Sequence, residues 1–157
     1  MITTFLVTHP WITTVAFATA VVVGPLLGYM LAVRPRVAMW LGGASLLPVA
    51  ALTFIPASRD LRMGCAVEWD FPTFGAVELM ANVVLFVPPV LLLGVAIRRP
   101  WVVWLVASVV SCLIEATQAL VPALGRSCST NDWLANTLGA ALGAALAALA
   151  IRWDRWR

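Results

Sequence analysis

The chain has 157 residues, of which 62% are hydrophobic and only 11% are charged, and its mean hydropathy is +0.98. Soluble domains carry about a quarter charged residues, so this composition excludes an ordinary soluble protein and indicates an integral membrane protein. The net charge of +3 rests on ten arginines without any lysine, clustered in a way that indicates membrane topology and not nucleic-acid binding.

Five apolar runs are long enough to cross a bilayer, which takes about 20 helical residues for roughly 30 Å of hydrocarbon. They cover approximately residues 11–33, 37–55, 75–97, 101–121 and 133–151. Helices are expected because a helix satisfies its own backbone hydrogen bonds in lipid. We therefore predict an all-α fold, a polytopic membrane helix bundle with five transmembrane helices in a single domain over residues 1–157. The first run is too long for a signal-peptide core and is expected to stay as an anchor.

Arginine groups follow the first, third and fifth runs. They are Arg34 with Arg36, Arg98 with Arg99, and Arg152 with Arg155 and Arg157. The positive-inside rule places these groups in the cytoplasm, so the N-terminus is predicted outside and the C-terminus inside. Seven of the eight tryptophans lie at ends of the runs, where indole rings anchor helices in the headgroup zone.

The predicted outer loop, residues 56–74, mixes charged and aromatic side chains and is long for a connection. It suits either a folded cap over the bundle or an unstructured link. Cys65 lies in this loop and Cys128 in the next outer loop, and disulfides persist outside the cell. We hypothesise a Cys65–Cys128 disulfide that ties the loop down. Cys112, inside the fourth run, is predicted to be a small buried apolar residue.

Three of the runs carry a carboxylate followed one helical turn later by a carboxamide. The pairs are Glu78 with Asn82, Glu115 with Gln118, and Asp132 with Asn136. Spacings of three and four place each pair on one helix face. At about 1.5 Å per residue, Glu115 lies on the order of 10 Å inside the outer end of its span, and the two asparagines roughly 8–10 Å inside theirs. The predicted topology thus brings the three pairs to one level in the outer leaflet.

Most of these polar residues also have a structural interpretation. Asp132 with Ser129 fits a Ser-x-x-Asp capping box at the start of the fifth span. Asn82 and Asn136 suit either interhelical hydrogen bonds or ligand contacts.

Glu115 lies at no predicted helix end, so we favour a site role for it, as for ionisable groups at membrane depth generally. Arg126 could pair with Glu115 or Asp132, face anionic lipid, or hold a phosphate of a ligand.

Glycines four residues apart, Gly139 with Gly143 and Gly24 with Gly28, predict faces where helices pack closely. Such faces more often join helices within one chain, so the oligomeric state stays open.

The motifs of the last three runs together resemble the VanZ-like membrane proteins. The motifs are Asn82-Val-Val-Leu-Phe86-Val-Pro88, Ile114-Glu115-x-x-Gln118, Gly125-Arg126-Ser127, Asp132-x-x-x-Asn136 and Gly139-x-x-x-Gly143. The resemblance covers about half of the chain, from Glu78 to Gly143, and residues 1–74 add only topology. It implies a small multi-pass protein of the bacterial cytoplasmic membrane, linked to teicoplanin-type glycopeptide resistance.

The chain departs from this family pattern in one segment. Family members often carry further acids where Ser129 and Asn131 stand here, which argues against a metal-binding version of the site. We predict no metal and no cofactor.

Three functions follow as expectations. In the first, an outer-leaflet pocket binds a membrane lipid headgroup, a lipid-linked cell-wall precursor or a lipoglycopeptide. The expected ligand-binding residues are Glu78, Asn82, Glu115, Gln118, Arg126, Asp132 and Asn136. The second is an enzyme acting on an envelope lipid with Glu115 as general acid or base, although the only histidine, His9, lies far along the chain from this cluster. The third is a small proton-coupled transporter using Glu115, although no inverted repeat is evident.

Overall fold

The computed structural model describes residues 6, 8–56 and 64–156. Within them, five helices are long and apolar enough to cross a membrane. They are α1 (Trp11–Ala32), α2 (Pro35–Phe54), α3 (Val77–Ile97), α4 (Pro100–Leu120) and α5 (Thr130–Asp154). Two short strands, β1 (Cys65–Ala66) and β2 (Cys128–Ser129), and a 3-10 turn at Pro122–Leu124 complete the described chain. The predicted all-α bundle of five membrane helices is confirmed.

The helix starts differ from the predicted ones for local reasons. Pro35 and Pro100 open α2 and α4 because a proline at the first helical position has no amide hydrogen to leave unpaired. The last helix begins at Thr130, three residues before the predicted start, because Ser129 caps it. The polar residues after Ser129 therefore form the first turn of α5 and not a separate loop.

Helices α3 and α5 form the centre of the bundle. In each, 56% of the most apolar 18-residue stretch is buried in the protein, against 22–28% in the other three helices. Helices α3 and α5 touch through glycines. A Cβ on Gly139 would collide with the carbonyl oxygen of Val83, and one on Gly143 would lie 2.7 Å from that of Val87. The prediction that this glycine face packs within one chain is confirmed.

Helix α4 joins α5 through indole hydrogen bonds. Trp104 Nε1 donates to the carbonyl of Thr137, and Trp133 Nε1 donates to the carbonyl of Ser108, each at 3.2 Å. The two tryptophans are half-buried between the helices, so they are more than headgroup anchors.

The outer faces of α1, α2 and α4 leave large apolar side chains exposed, such as Leu47 and Leu113. This surface suits contact with lipid chains. Cys112 is exposed on this face, and the prediction that it is buried in the protein is wrong. Its neighbour Ser111 takes the buried position on the inward face of α4.

The two ends of the bundle differ in chemistry. The arginine end holds the α1–α2 and α3–α4 turns and the C-terminus of α5, where Arg98 Nη2 lies 2.7 Å from Asp154 Oδ2. The disulfide end holds Cys65, Cys128 and the N-terminus of α5. Arg157 and residues 57–63 of the predicted outer loop lie outside the described residues. That the arginine end faces the cytoplasm stays a prediction.

Candidate functional site

The disulfide end is covered by the chain between α2 and α3. Cys65 and Cys128 are bonded, which confirms the hypothesised disulfide. Next to it, β1 pairs in parallel with β2, with Cys65 opposite Cys128 and Ala66 opposite Ser129. Glu68 donates its backbone N–H to Thr130 Oγ1 at 2.8 Å, and the Thr130 hydroxyl donates back to the carbonyl of Glu68. The segment from residue 64 is therefore a folded cap over the start of α5.

Asn131 fastens this cap through its carboxamide. Its Oδ1 accepts the backbone N–H of Asp70 at 2.7 Å, and its Nδ2 donates to Asp70 Oδ2 at 3.1 Å. The amide supplies both the acceptor and the donor that these two bonds need, whereas a carboxylate there would have no donor and would repel Asp70. The sequence analysis noted Asn131 only as a position where an acid is expected from the family resemblance. The polar run Ser129–Asp132 in an apolar chain was the available signal for its role.

Glu115 reaches across from α4 to the N-terminus of α5. Its Oε2 accepts the backbone N–H of Ser129 at 2.9 Å, while Ser129 Oγ accepts the N–H of Asn131 at 3.1 Å. A carboxylate of a neighbouring helix thus completes the cap of α5, where it also complements the helix dipole. The view that no helix end accounts for Glu115 is wrong, because the end belongs to another helix.

Asp132 does not act as the carboxylate of a capping box, and that interpretation is wrong. Its Oδ1 accepts a hydrogen bond from Asn82 Nδ2 at 2.8 Å, which joins α5 to α3. The box rule considers only the residue three positions after the cap. Here Glu115, from α4, accepts the backbone N–H of the capping residue Ser129, and Asp132 contacts α3 instead.

One turn deeper, Asn136 joins α5 to α4. Its Nδ2 donates to Ser111 Oγ at 2.9 Å, and both residues are buried. Its Oδ1 is buried without a hydrogen-bond partner among the described residues. Reversing the amide would pair the oxygen with Ser111 but leave the nitrogen unpaired, so one polar atom of Asn136 stays unsatisfied either way.

The carboxyl groups of Glu78, Glu115 and Asp132 come from three helices and meet at the N-terminus of α5. Asp132 lies within electrostatic reach of the other two. Among the described residues, no arginine or histidine pairs with any of them. In the part of the chain that the structure describes, no group of three or more His, Cys, Asp or Glu side chains could hold a metal ion.

Two predicted members of the site contact α2 instead. Arg126 Nε donates to the carbonyl of Ile55, and Gln118 Nε2 donates to that of Thr53, each at 3.2 Å. Both satisfy carbonyls at the C-terminal end of α2, which a helix leaves without internal partners. The expected pairing of Arg126 with Glu115 or Asp132 does not occur. Its terminal guanidinium nitrogens have no partner in the described chain.

The cluster is closed by its own side chains and is not an open pocket in this conformation. Glu115, Gln118 and Asn136 are each at most 8% exposed. The accessible rim of the cluster consists of the exposed Glu78 with the half-buried Asn82 and Asp132, and Arg126 is half-buried against α2.

These features define a five-helix membrane bundle with a carboxylate-rich cluster beneath a disulfide-linked cap. The sequence model of the family described as VanZ/LLP1 matches residues 29–151, which is most of the chain. The protein therefore belongs to the VanZ/LLP1 family. The match begins within α1, so the expectation that residues 1–74 add only topology is wrong. No curated protein and no solved structure matches the chain.

Proposed function

We propose that this VanZ/LLP1-family protein binds a polar headgroup at the disulfide end and thereby contributes to teicoplanin-type glycopeptide resistance or to cell-envelope modulation. The ligand would be a lipid headgroup, a lipid-linked cell-wall precursor or a lipoglycopeptide. The observation that carries the proposal is the group of carboxylates from Glu78, Glu115 and Asp132 without a cationic side chain beside them.

Charges withdrawn from water are costly unless an opposite charge accompanies them. A ligand with an ammonium group would supply that charge at the rim formed by Glu78 and Asp132. The unpaired terminal nitrogens of Arg126 suit a phosphate or carboxylate of the same ligand. A headgroup that carries both signs of charge therefore matches this end of the bundle better than a purely anionic one.

The proposal requires the disulfide end to face outward. The arginine groups at the opposite end support this orientation through the positive-inside rule. The Cys65–Cys128 bond supports it as well, because disulfides persist outside the cytoplasm. The exposed rings of Trp69 and Phe71 on the cap would then face the outer headgroup region.

Glu78 offers the cleanest test because it is exposed and makes no hydrogen bond to described residues. In a teicoplanin-sensitive bacterial host, the native protein should raise teicoplanin tolerance. Glu78→Gln should lose most of that protection at equal membrane abundance, measured by immunoblot. Arg126→Ala should weaken it as well.

The matched control is Glu68→Gln, which removes a carboxylate at the same end that contacts Asn131, at 3.4 Å, and no residue of the rim. It should protect like the native protein. Full protection by Glu78→Gln, or no protection by the native protein, would contradict the proposal.

A further inference from the structure

A second polar feature is a cleft at the arginine end of the bundle, opposite the end that holds the carboxylate cluster. The cleft, of about 610 Å³, opens between the α3–α4 turn and the C-terminal turns of α5. Its walls include Arg98, Trp101, Ile151, Arg152, Arg155 and Trp156. This volume is in the range of sites that hold small ligands and headgroups.

The cleft carries excess positive charge. Arg98 is neutralised by Asp154 at 2.7 Å. Arg152 and Arg155 are exposed, and neither side chain has a hydrogen bond or ion pair with described residues. Two unpaired guanidinium groups, one in the last turn of α5 and one on the residue that follows it, thus line the cleft, and guanidinium is well suited to phosphate oxygens.

The backbone of Arg98 supports a role for its side chain. Arg98 is the residue after α3 and has a left-handed conformation with φ of 58°, the one non-glycine with positive φ in the described chain. Glycine is the favoured residue at this position of a helix end. Arginine here keeps a side chain that lines the cleft and is held in place by Asp154.

The remaining walls are apolar. The indoles of Trp101 and Trp156 are exposed, whereas Ile151 is buried. Indole rings beside arginines at a helix end match the boundary between phosphate headgroups and acyl chains. We infer that this cleft binds an anionic phospholipid, with its phosphate on Arg152 and Arg155 and its glycerol region along the two indoles.

Thermal unfolding of the purified protein in detergent tests the inference. Phosphatidylglycerol should raise the Tm by on the order of 5 °C near saturation, whereas phosphatidylcholine with the same acyl chains should not. Inorganic phosphate at the same concentration should have little effect. An equal shift with inorganic phosphate, or an equal shift with phosphatidylcholine, would overturn the assignment of an anionic lipid.

The variant Arg152→Gln/Arg155→Gln should lose the shift caused by phosphatidylglycerol, measured against its own lipid-free Tm. The matched control Arg34→Gln/Arg36→Gln removes the same charge from the same end, at the α1–α2 turn, and should keep the shift. If the first double variant does not fold, Arg155→Gln alone should at least halve it. A shift that survives in each folded variant of the cleft would overturn the inference.

Discussion

The carboxylate of Glu115, on α4, accepts the backbone N–H of Ser129, the residue that caps α5, at 2.9 Å. An acidic residue that lies deep in one span thus stabilises the beginning of the next. The bond also brings Glu115 within electrostatic reach of Asp132, so a single contact fixes both the helix cap and the carboxylate cluster. Substitutions at Glu115 therefore have to separate a structural effect from a functional one.

Glu115→Ala and Glu115→Gln make that separation. Alanine removes the acceptor and should lower the free energy of unfolding by about 1.5–3 kcal/mol, as for a hydrogen bond to a charged group. Glutamine removes the charge but keeps an acceptor oxygen, so it should lower the free energy of unfolding by less than alanine does. Denaturation of the detergent-solubilised proteins measures both, with Cys112→Ala on the exposed face of α4 as control. Equal stability of Glu115→Ala and the native protein would refute the capping role.

The glycine contact between α3 and α5 predicts a sharp difference between two alanine variants. Gly139→Ala forces a methyl group against the carbonyl of Val83 and should destabilise the bundle by about 1–3 kcal/mol, as overpacking does. Gly43→Ala, on α2, meets no atom within 4 Å and should be neutral or slightly stabilising. Thermal unfolding compares them, and similar effects at both positions would speak against the α3–α5 contact.

Asn131→Asp places an acid at a position where the family resemblance implies one. It should loosen the cap, because it removes the donor to Asp70 and sets a like charge beside it. Faster hydrogen exchange in residues 64–74 would show this directly. Thr73→Ser, in the same segment but away from Asn131, serves as control, and unchanged exchange in Asn131→Asp would contradict the proposed fastening.

The disulfide joins Cys65 and Cys128, which are 63 positions apart in the sequence. Its removal by Cys65→Ser/Cys128→Ser should cost about 4 kcal/mol in the loop-entropy account. Thiol counting on native protein should find one free cysteine, Cys112, and three after reduction. In intact cells, a membrane-impermeant thiol reagent should label Cys65 and Cys128 only after reduction. Labelling only after lysis would place the disulfide end inside and reverse the predicted topology.

The sequence by itself determined the five spans, the cysteine pair and the glycine face of α5. The spans and the glycine face follow from composition and from spacing within one helix, because a helix in lipid satisfies its own backbone. The cysteine pair follows from the predicted topology, which places both cysteines in outer loops. The level of the polar residues also followed, since the rise per residue sets depth along a span.

Only the tertiary structure decided which polar side chains meet. Hydropathy places residues along a helix but does not fix the rotation of one helix against another. The observed packing lets Glu115 accept a hydrogen bond from Ser129 and Asp132 accept one from Asn82. Gln118 and Arg126 instead donate to carbonyls of α2 and of the residue after it. The cap depends on packing in the same way, because Asn131 bonds to Asp70, which lies 61 residues earlier in the chain. Contacts between distant segments depend on the packing of whole helices, and no local pattern contains them.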